Sequence, residues 1–170
     1  REYIFARAGM ADSDFFRLDR VNENVAEGTD PVLGDNGQIT GWKKNIYSFP
    51  PLGSPDSGAH VTASDLDRCL RAVQNGVLLS PEMAQAFFTP QVHYRDMQAG
   101  WAKWYGYGMW FYLESSGKVV CCQKEGINSG VSGAIRRFPQ QDINAVVLSN
   151  MEDGVWEPIW TIHDLILSES

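Results

Sequence analysis

Residues 119–138 read VVCCQKEGINSGVSGAIRRF and predict a strand, a glycine-rich turn and a second strand. Apolar runs lie at both ends, and three glycines lie between them. Glycine permits sharp turns and the close approach of another group to the backbone. We therefore expect Lys124, Glu125 and Gly126 to lie in the bend, where a lysine ammonium and free backbone N–H groups form an anion or oxyanion site. The alternative is a tight hairpin that carries a solvated lysine.

Length and charge narrow the class of protein. The 170 residues predict a single domain, 1–170, with enough chain to bury a core. A net charge of −7 without a basic cluster argues against nucleic acid as a partner. No apolar run has the length of a transmembrane segment. The composition is therefore that of an ordinary globular domain.

Cysteine and histidine residues give no sign of a metal site. Cys69, Cys121 and Cys122 do not form a disulfide framework, and no Cys/His spacing is typical of zinc ligands. The three histidines are far apart in the sequence: His60, His93 and His163. We expect no metal and no cofactor. If residues 119–123 form a strand, Cys121 and Cys122 point to opposite faces of the sheet.

The first half of the chain contains two clear helix signals. The spacing of Leu66, Leu70 and Val73 predicts a helix over residues 62–75 with Ser64 as its N-cap. A serine followed by proline and glutamate at Ser80 predicts the start of a second helix. Residues 22–58 are rich in Gly, Pro, Asn and Asp, which favours turns over regular structure.

The second half predicts a sheet. Residues 100–113 carry seven aromatic side chains, which are typical of a strand that covers a core and, as a weaker alternative, of a stacking platform for sugars or bases. A hairpin turn at residues 114–117 leads to the next strand. Residues 134–138 and Ile143–Ser149 predict a further pair, and a last helix opens after Gly154. The fold class is therefore α+β, with an antiparallel sheet of about four strands flanked by helices.

Residue patterns alone identify no nucleophile. The sequence has no G-x-S-x-G, no P-loop and no H-E-x-x-H. One Ser-x-x-Lys runs from Ser115 to Lys118. That pairing works only on a helix, where one turn brings the amine over the hydroxyl. Here it falls in the predicted hairpin turn, so we interpret it as a coincidence.

Five segments in order carry a family resemblance. They are IFARAGMADS (4–13), SGAHVTASDL (57–66) with LSPE (79–82), YGYGMW (105–110), KEG (124–126) with GVSG (130–133), and VVLSN (146–150). The chain resembles the C-terminal portion of the serine β-lactamase and penicillin-binding-protein superfamily. The resemblance is to its class C-related hydrolase and esterase branch, and it implies part of a β-lactamase/transpeptidase-like fold.

The resemblance implies acyl-transfer hydrolysis of a small-molecule acyl substrate. In the family, a helical Ser-x-x-Lys supplies nucleophile and base, and a Tyr-x-Asn assists proton transfer. By the same pattern, Lys124 and Gly126 belong to the third wall of the site, and Ile127 offers its backbone N–H to the oxyanion. Glu125 replaces a common threonine. Its charge argues against efficient β-lactamase activity and favours an ester, amide or peptide-like substrate.

Two catalytic motifs of the family lie outside the region that the resemblance covers. The family's Ser-x-x-Lys and Tyr-x-Asn precede the segment that matches Ile4, and this sequence has neither there. We therefore expect a C-terminal fragment of a serine hydrolase that is inactive alone. The alternative is a non-catalytic binding or interaction module on the same fold.

One strand edge is expected to be free. In the family an N-terminal strand pairs with the strand that corresponds to Ile143–Ser149. Without that neighbour, we expect this strand to associate with another chain, as in a homo-oligomer, or with a repositioned local segment.

Overall fold

The computed structural model describes residues 1–46, 48, 50–54 and 57–169, with residue 99 described by its backbone only. The helices are α1 (Ala63–Gln74), α2 (Pro81–Phe87) and α3 (Trp156–Ser168), with a π-helical turn at Glu2–Ala6 and a 3-10 turn at Gln98–Gly100. The strands are β1 (Thr29–Leu33), β2 (Ile39–Lys44), β3 (Val92–Asp96), β4 (Ala102–Tyr105), β5 (Trp110–Leu113), β6 (Val119–Asn128), β7 (Val131–Phe138) and β8 (Ile143–Ser149).

The main sheet confirms the predicted fold class. Strands β3 to β8 form one antiparallel sheet in sequence order, and helices flank it. The sheet has six strands where we expected about four. The aromatic stretch divides into β4 and β5 at a turn in which the Gly106 N–H donates to the Met109 carbonyl at 2.9 Å. Strand β3 adds the sixth strand beyond β4.

A separate hairpin corrects the prediction for residues 22–58. Strands β1 and β2 pair through five residue pairs instead of remaining irregular. The turn is closed by the Gly34 N–H, which donates to the Gln38 carbonyl at 2.8 Å, and Gly37 has φ +77°. Both strands are largely exposed, so their sequence lacks the polar–apolar alternation by which a half-buried strand is recognised.

The helices begin where local capping satisfies their first N–H groups. The N-cap of α1 lies two residues before the predicted one: it is Thr62, not Ser64, and the Thr62 hydroxyl accepts the Asp65 N–H at 3.1 Å. The prediction for α2 is confirmed, because the Ser80 hydroxyl accepts the Met83 N–H. Leu70 and Val73 are buried as their spacing predicts.

The two faces of the sheet carry different cores. Cys121 and Phe138 pack with Val155 and Ile159 on the α3 face. On the other face a second cluster contains Cys122 with Met109, Phe111 and Leu113, joined by the two phenylalanines at the end of α2. The prediction that Cys121 and Cys122 point to opposite faces is therefore confirmed. The sheet is sandwiched between α3 on one side and α1 and α2 on the other.

Strand β8 is an edge of the six-stranded sheet. It pairs with β7 from Ile143 to Ser149, and no strand among the described residues pairs with its other side. Ile143 and Leu148 are 39% and 38% exposed. Association through this edge stays a prediction. In the described ranges, no helix has the length and apolar character required to cross a membrane.

Candidate active-site wall

The segment that carries the predicted site is straight, not bent. Lys124, Glu125 and Gly126 lie inside β6, which continues to Asn128, and the turn follows at residues 129–130. The bend prediction is therefore wrong. Gly126 lies directly opposite Gly133 of β7 without reversing the chain; the sheet surface is open at Gly126, whereas the Leu148 side chain lies beside Gly133. The reversal falls at Gly130, which has φ +67°.

Among the residues that the structure describes, the second half of β6 has a strand neighbour on one side only. Pairing with β5 ends at Gln123, whereas pairing with β7 runs to the pair Asn128 and Val131. In a two-residue hairpin the residues that flank the turn bond to each other, and the bonding direction then alternates along the strand. The backbone groups of Glu125 and Ile127 therefore face the open side. The predicted oxyanion role of Ile127 requires this orientation.

Strand alternation separates the four predicted residues into two pairs. Lys124 and Gly126 belong to the face covered by α1 and α2, and Glu125 and Ile127 belong to the α3 face. Lys124 is exposed, and the described residues provide it with no ion pair or side-chain hydrogen bond. A Cβ on Gly126 would meet nothing within 4 Å. The Lys124 ammonium is thus free to meet a ligand over an unobstructed surface.

The Glu125 carboxylate points away from that surface. It accepts a hydrogen bond from the Gln123 side-chain amide, and the Gln123 oxygen accepts from Arg136 Nε at 2.7 Å. Arg136 is fully buried. Sequence reasoning did not include Gln123 or Arg136 in the site. The alternation of β7 contains the signal, because Arg136 has the same parity as the inward Ala134 and Phe138.

A cluster at the end of β6 holds the β1–β2 hairpin against the sheet. Buried Asn45 donates its side-chain N–H to the Ser129 carbonyl at 2.7 Å, and Ser129 donates to the Asp30 carboxylate. A Cβ on Gly130 would lie 2.5 Å from Asn45 Nδ2, so this approach requires glycine. Asn128 donates to the Ser57 hydroxyl at 3.0 Å. Sequence patterns missed this cluster because its members are far apart along the chain.

The predicted wall is an open surface. A cavity of ≈ 620 Å³ lies between α1, α2 and the start of β6, and one of ≈ 370 Å³ lies at the far end of the sheet beside Trp101 and Trp104. None of the residues 124–127 lines either cavity. Ser115 lines the smaller one, but its motif is confirmed as a hairpin turn, closed by the Glu114 N–H on the Lys118 carbonyl at 3.1 Å.

The buried thiols are poor nucleophiles. Burial raises the pKa of Cys121 and of Cys122 to about 12, so almost no thiolate forms at neutral pH. Cys121 Sγ lies 4.0 Å from His163 Nδ1, but both residues are enclosed in the core. Within the described ranges, no group of three or more His, Cys, Asp or Glu side chains is arranged to hold a metal ion.

Comparison with known proteins gives one family and several related structures. The model of the Beta-lactamase family matches residues 1–161. The structure of a penicillin-binding protein from Bacillus halodurans superposes with a TM-score of 0.84 at 30% identity, covering 96% of this chain and 48% of that chain. None of the curated proteins compared with this sequence matches it.

Two more distant structures share the fold. An octameric penicillin-binding protein homologue from Pyrococcus abyssi gives a TM-score of 0.68 at 23% identity, covering 88% of this chain and 32% of that chain. A D-amino acid amidase from Ochrobactrum anthropi SV3, complexed with D-phenylalanine, gives 0.64 at 18% identity, covering 100% and 52%. The chain thus spans about half of the first of these structures and of the amidase, and about a third of the octameric homologue.

Proposed function

This chain belongs to the Beta-lactamase family, and from that premise we propose that it supplies the strand wall of an acyl-transfer site in a serine hydrolase. The observation that supports this most strongly is the open side of β6 between Lys124 and Asn128. A strand with one free edge can pair with an extended acyl substrate through its main chain. The substrate class that fits is a small ester, amide or peptide-like molecule.

Each residue of the wall has a distinct proposed role. Lys124 presents a positive charge that attracts an anionic substrate group or assists a neighbouring proton-transfer residue. The backbone N–H of Ile127 donates to the oxyanion of the tetrahedral intermediate. Gly126 keeps the surface free of side chains, and Glu125 contributes its backbone groups to the open edge while its carboxylate faces the other side.

The attacking hydroxyl and its base are proposed to come from residues outside these 170. Ser115 and Lys118 lie in a hairpin turn, where the amine does not stack over the hydroxyl as it does across a helical turn. We therefore expect the chain alone, a C-terminal portion of the parent protein by this proposal, to be inactive. A fluorophosphonate probe should leave Ser115 unlabelled.

The test is to express the whole polypeptide encoded by the gene and to measure ester and amide hydrolysis. If the activity resides in a Ser-x-x-Lys outside this chain, Lys124→Ala should lower kcat/KM about 100-fold, the scale of losing one electrostatic contact to the transition state. Lys118→Ala, in the exposed turn between β5 and β6, is the matched control and should leave kcat/KM unchanged.

Two results would overturn this proposal. The first is a fully active Lys124→Ala variant. The second is a whole polypeptide without Ser-x-x-Lys and Tyr-x-Asn that still binds acyl ligands, which would identify a binding module instead of an enzyme.

The free edge of β8 is proposed to pair with a second copy of the chain. This seven-residue strand has one side without a strand partner among the described residues, and Ile143 and Leu148 are partly exposed along it. The related Pyrococcus abyssi protein is octameric, which makes assembly a precedent within the fold. Light scattering should give a mass that rises with concentration, and the Leu148→Lys variant should remain a monomer of 19.0 kDa. A wild-type monomer at all concentrations would contradict the proposal.

A further inference from the structure

Arg136 is a buried cation without a direct carboxylate partner among the described residues. It is fully buried, and its Nη1 donates to the Ile159 carbonyl of α3 at 3.3 Å. Its guanidinium lies 4.2 Å from the ring centre of Trp160. Its Nη2 has no hydrogen-bond partner in the described part of the chain. An arginine remains charged in proteins, and a buried charge is costly unless another group compensates it.

Glu125 provides compensating negative charge and is linked to Arg136 by hydrogen bonds through Gln123. Burial lowers the pKa of the Arg136 guanidinium, and Cys121, Tyr112, Glu125 and Asp164 oppose the shift in that order. Burial raises the pKa of Cys121 and of Tyr112 to about 12, so both are uncharged at neutral pH. The two carboxylates remain as the negative charges, and Glu125 alone is joined to Arg136 through a hydrogen-bonded amide, that of Gln123.

A second cation lies near the same carboxylate. The Lys103 ammonium is 4.2 Å from the Trp110 ring centre and 5.4 Å from that of Tyr112. Burial lowers the pKa of Lys103, Glu125 raises it, and Arg95 lowers it. The Glu125 charge therefore acts on two cations of the α3 face, Lys103 and Arg136. Its side chain is fixed there, and strand alternation then requires its neighbours to face the other way.

We propose that Glu125 is a positioning residue. Its carboxylate, linked through the Gln123 amide to buried Arg136 and so to α3, holds the open half of β6 in the twist that presents Lys124 and Gly126 on the opposite face. By this proposal, the glutamate that stands where the family commonly has threonine links β6 to the buried core. Its carboxylate lies on the opposite face from Lys124, so it does not act by repelling the substrate. The positioning role rests on the proposed function, whereas the coupling of charges does not.

The test compares Glu125→Gln with a matched control. The amide keeps the size of the side chain and a hydrogen-bonding oxygen but removes the charge. We expect urea denaturation to show an unfolding constant about 10-fold to 100-fold larger, the scale of a hydrogen bond to a charged group. Amide hydrogen exchange at Gly126 and Asn128, whose N–H groups face β7, should become about 10-fold faster, beyond any change at Ala145 and Val147 of β8. Glu152→Gln, at an exposed turn position, should change neither measurement by more than about twofold.

A second variant tests the link itself. Gln123→Leu removes the amide while leaving both charges, and it should produce the same local increase in exchange at Gly126 and Asn128. The double variant should exceed the larger single effect by less than about twofold, because both changes break one chain of contacts. Fully multiplicative effects would show that Glu125 and Gln123 act independently and would overturn the proposal.

Two further outcomes of the Glu125→Gln experiment would contradict the proposed positioning role. If Glu125→Gln behaves like Glu152→Gln, the proposal is wrong. If exchange at Gly126 and Asn128 rises no more than exchange at Ala145 and Val147, Glu125 contributes to stability alone and the positioning role is overturned. None of these measurements needs a substrate, so a negative result leaves the acyl-transfer proposal standing, and an inactive whole polypeptide leaves this one standing.

Discussion

The two halves of β6 differ in their strand partners and in their burial. From Val119 to Gln123 the strand lies between β5 and β7, and Cys121 and Gln123 are almost fully buried. From Lys124 to Asn128 it has one strand neighbour and is mostly exposed. One continuous strand therefore passes from the core into an open wall within a single residue. The buried half fixes the direction of the strand, and the open half can then present backbone groups at fixed positions without a core of its own.

The largest expected effect comes from placing a charge in each half. Cys121→Asp buries a carboxylate in a site of 0% exposure and should cost about 4 kcal/mol or more in the free energy of unfolding, or prevent folding. Ile127→Asp lies at a position 53% exposed and should change it by about 0.5 kcal/mol. Urea denaturation measures both. Equal losses would mean that the second half is covered and would remove the contrast.

The core beneath the buried half should make the protein acid-sensitive. Burial, and next the charge of Arg136, lower the pKa of His163 from 6.5 to about 4. Between pH 6.5 and about 4, His163 therefore binds a proton in the unfolded chain but not in the folded protein. His163 leaves the free energy of unfolding unchanged above pH 6.5. Between pH 6.5 and about 4 it lowers this free energy by up to about 1.4 kcal/mol per pH unit, or about 3 kcal/mol in all.

The His163→Gln variant isolates that contribution. Denaturation curves collected from pH 7 to pH 4 should show a shallower loss of stability in the variant than in the natural chain, because glutamine does not titrate. Other groups titrate equally in both proteins, so the difference between the two curves reports His163. Parallel curves would show that His163 is protonated as readily in the folded core as in the unfolded chain.

A smaller effect is expected where the open half meets the β1–β2 hairpin. Asn45→Ala removes the hydrogen bond to the Ser129 carbonyl and should cost about 1–2 kcal/mol. Amide exchange should rise in β1 and β2 and at the end of β6, and remain unchanged at residues 120–123. Asn36→Ala at the exposed tip is the matched control. A uniform rise throughout β6 would show that its two halves open together.

The smallest effect concerns the lysines on the two faces. Lys124→Met should alter the free energy of unfolding by less than about 0.5 kcal/mol, because the ammonium has no partner among the described residues. Lys103→Met loses the contact with the Trp110 ring at 4.2 Å and should cost up to about 1 kcal/mol. Thermal denaturation compares them. A larger loss for Lys124 would identify a structural role in place of the proposed binding role.

Sequence reasoning succeeded for several features that neighbouring residues determine, although the N-cap of α1 was placed two residues too late. The cap at Ser80, the turn at residues 114–117 and the opposite directions of Cys121 and Cys122 follow from neighbours in the chain, and each is confirmed. The bend at Gly126 was predicted wrongly because glycine also permits flat, bare strand surface, and only the pairing with Gly133 distinguishes the two. The partners of Asn45 and Arg136 depend on contacts between distant segments, which no local pattern encodes.

The β1–β2 hairpin has a practical consequence. It joins the sheet at its base, near Asn45, and its tip at Asp35 and Asn36 extends into solvent. An exposed polar loop tip with no core beneath it tolerates added sequence. A short peptide epitope or a fluorophore attachment sequence placed there would therefore label the protein without altering the strands of the sheet.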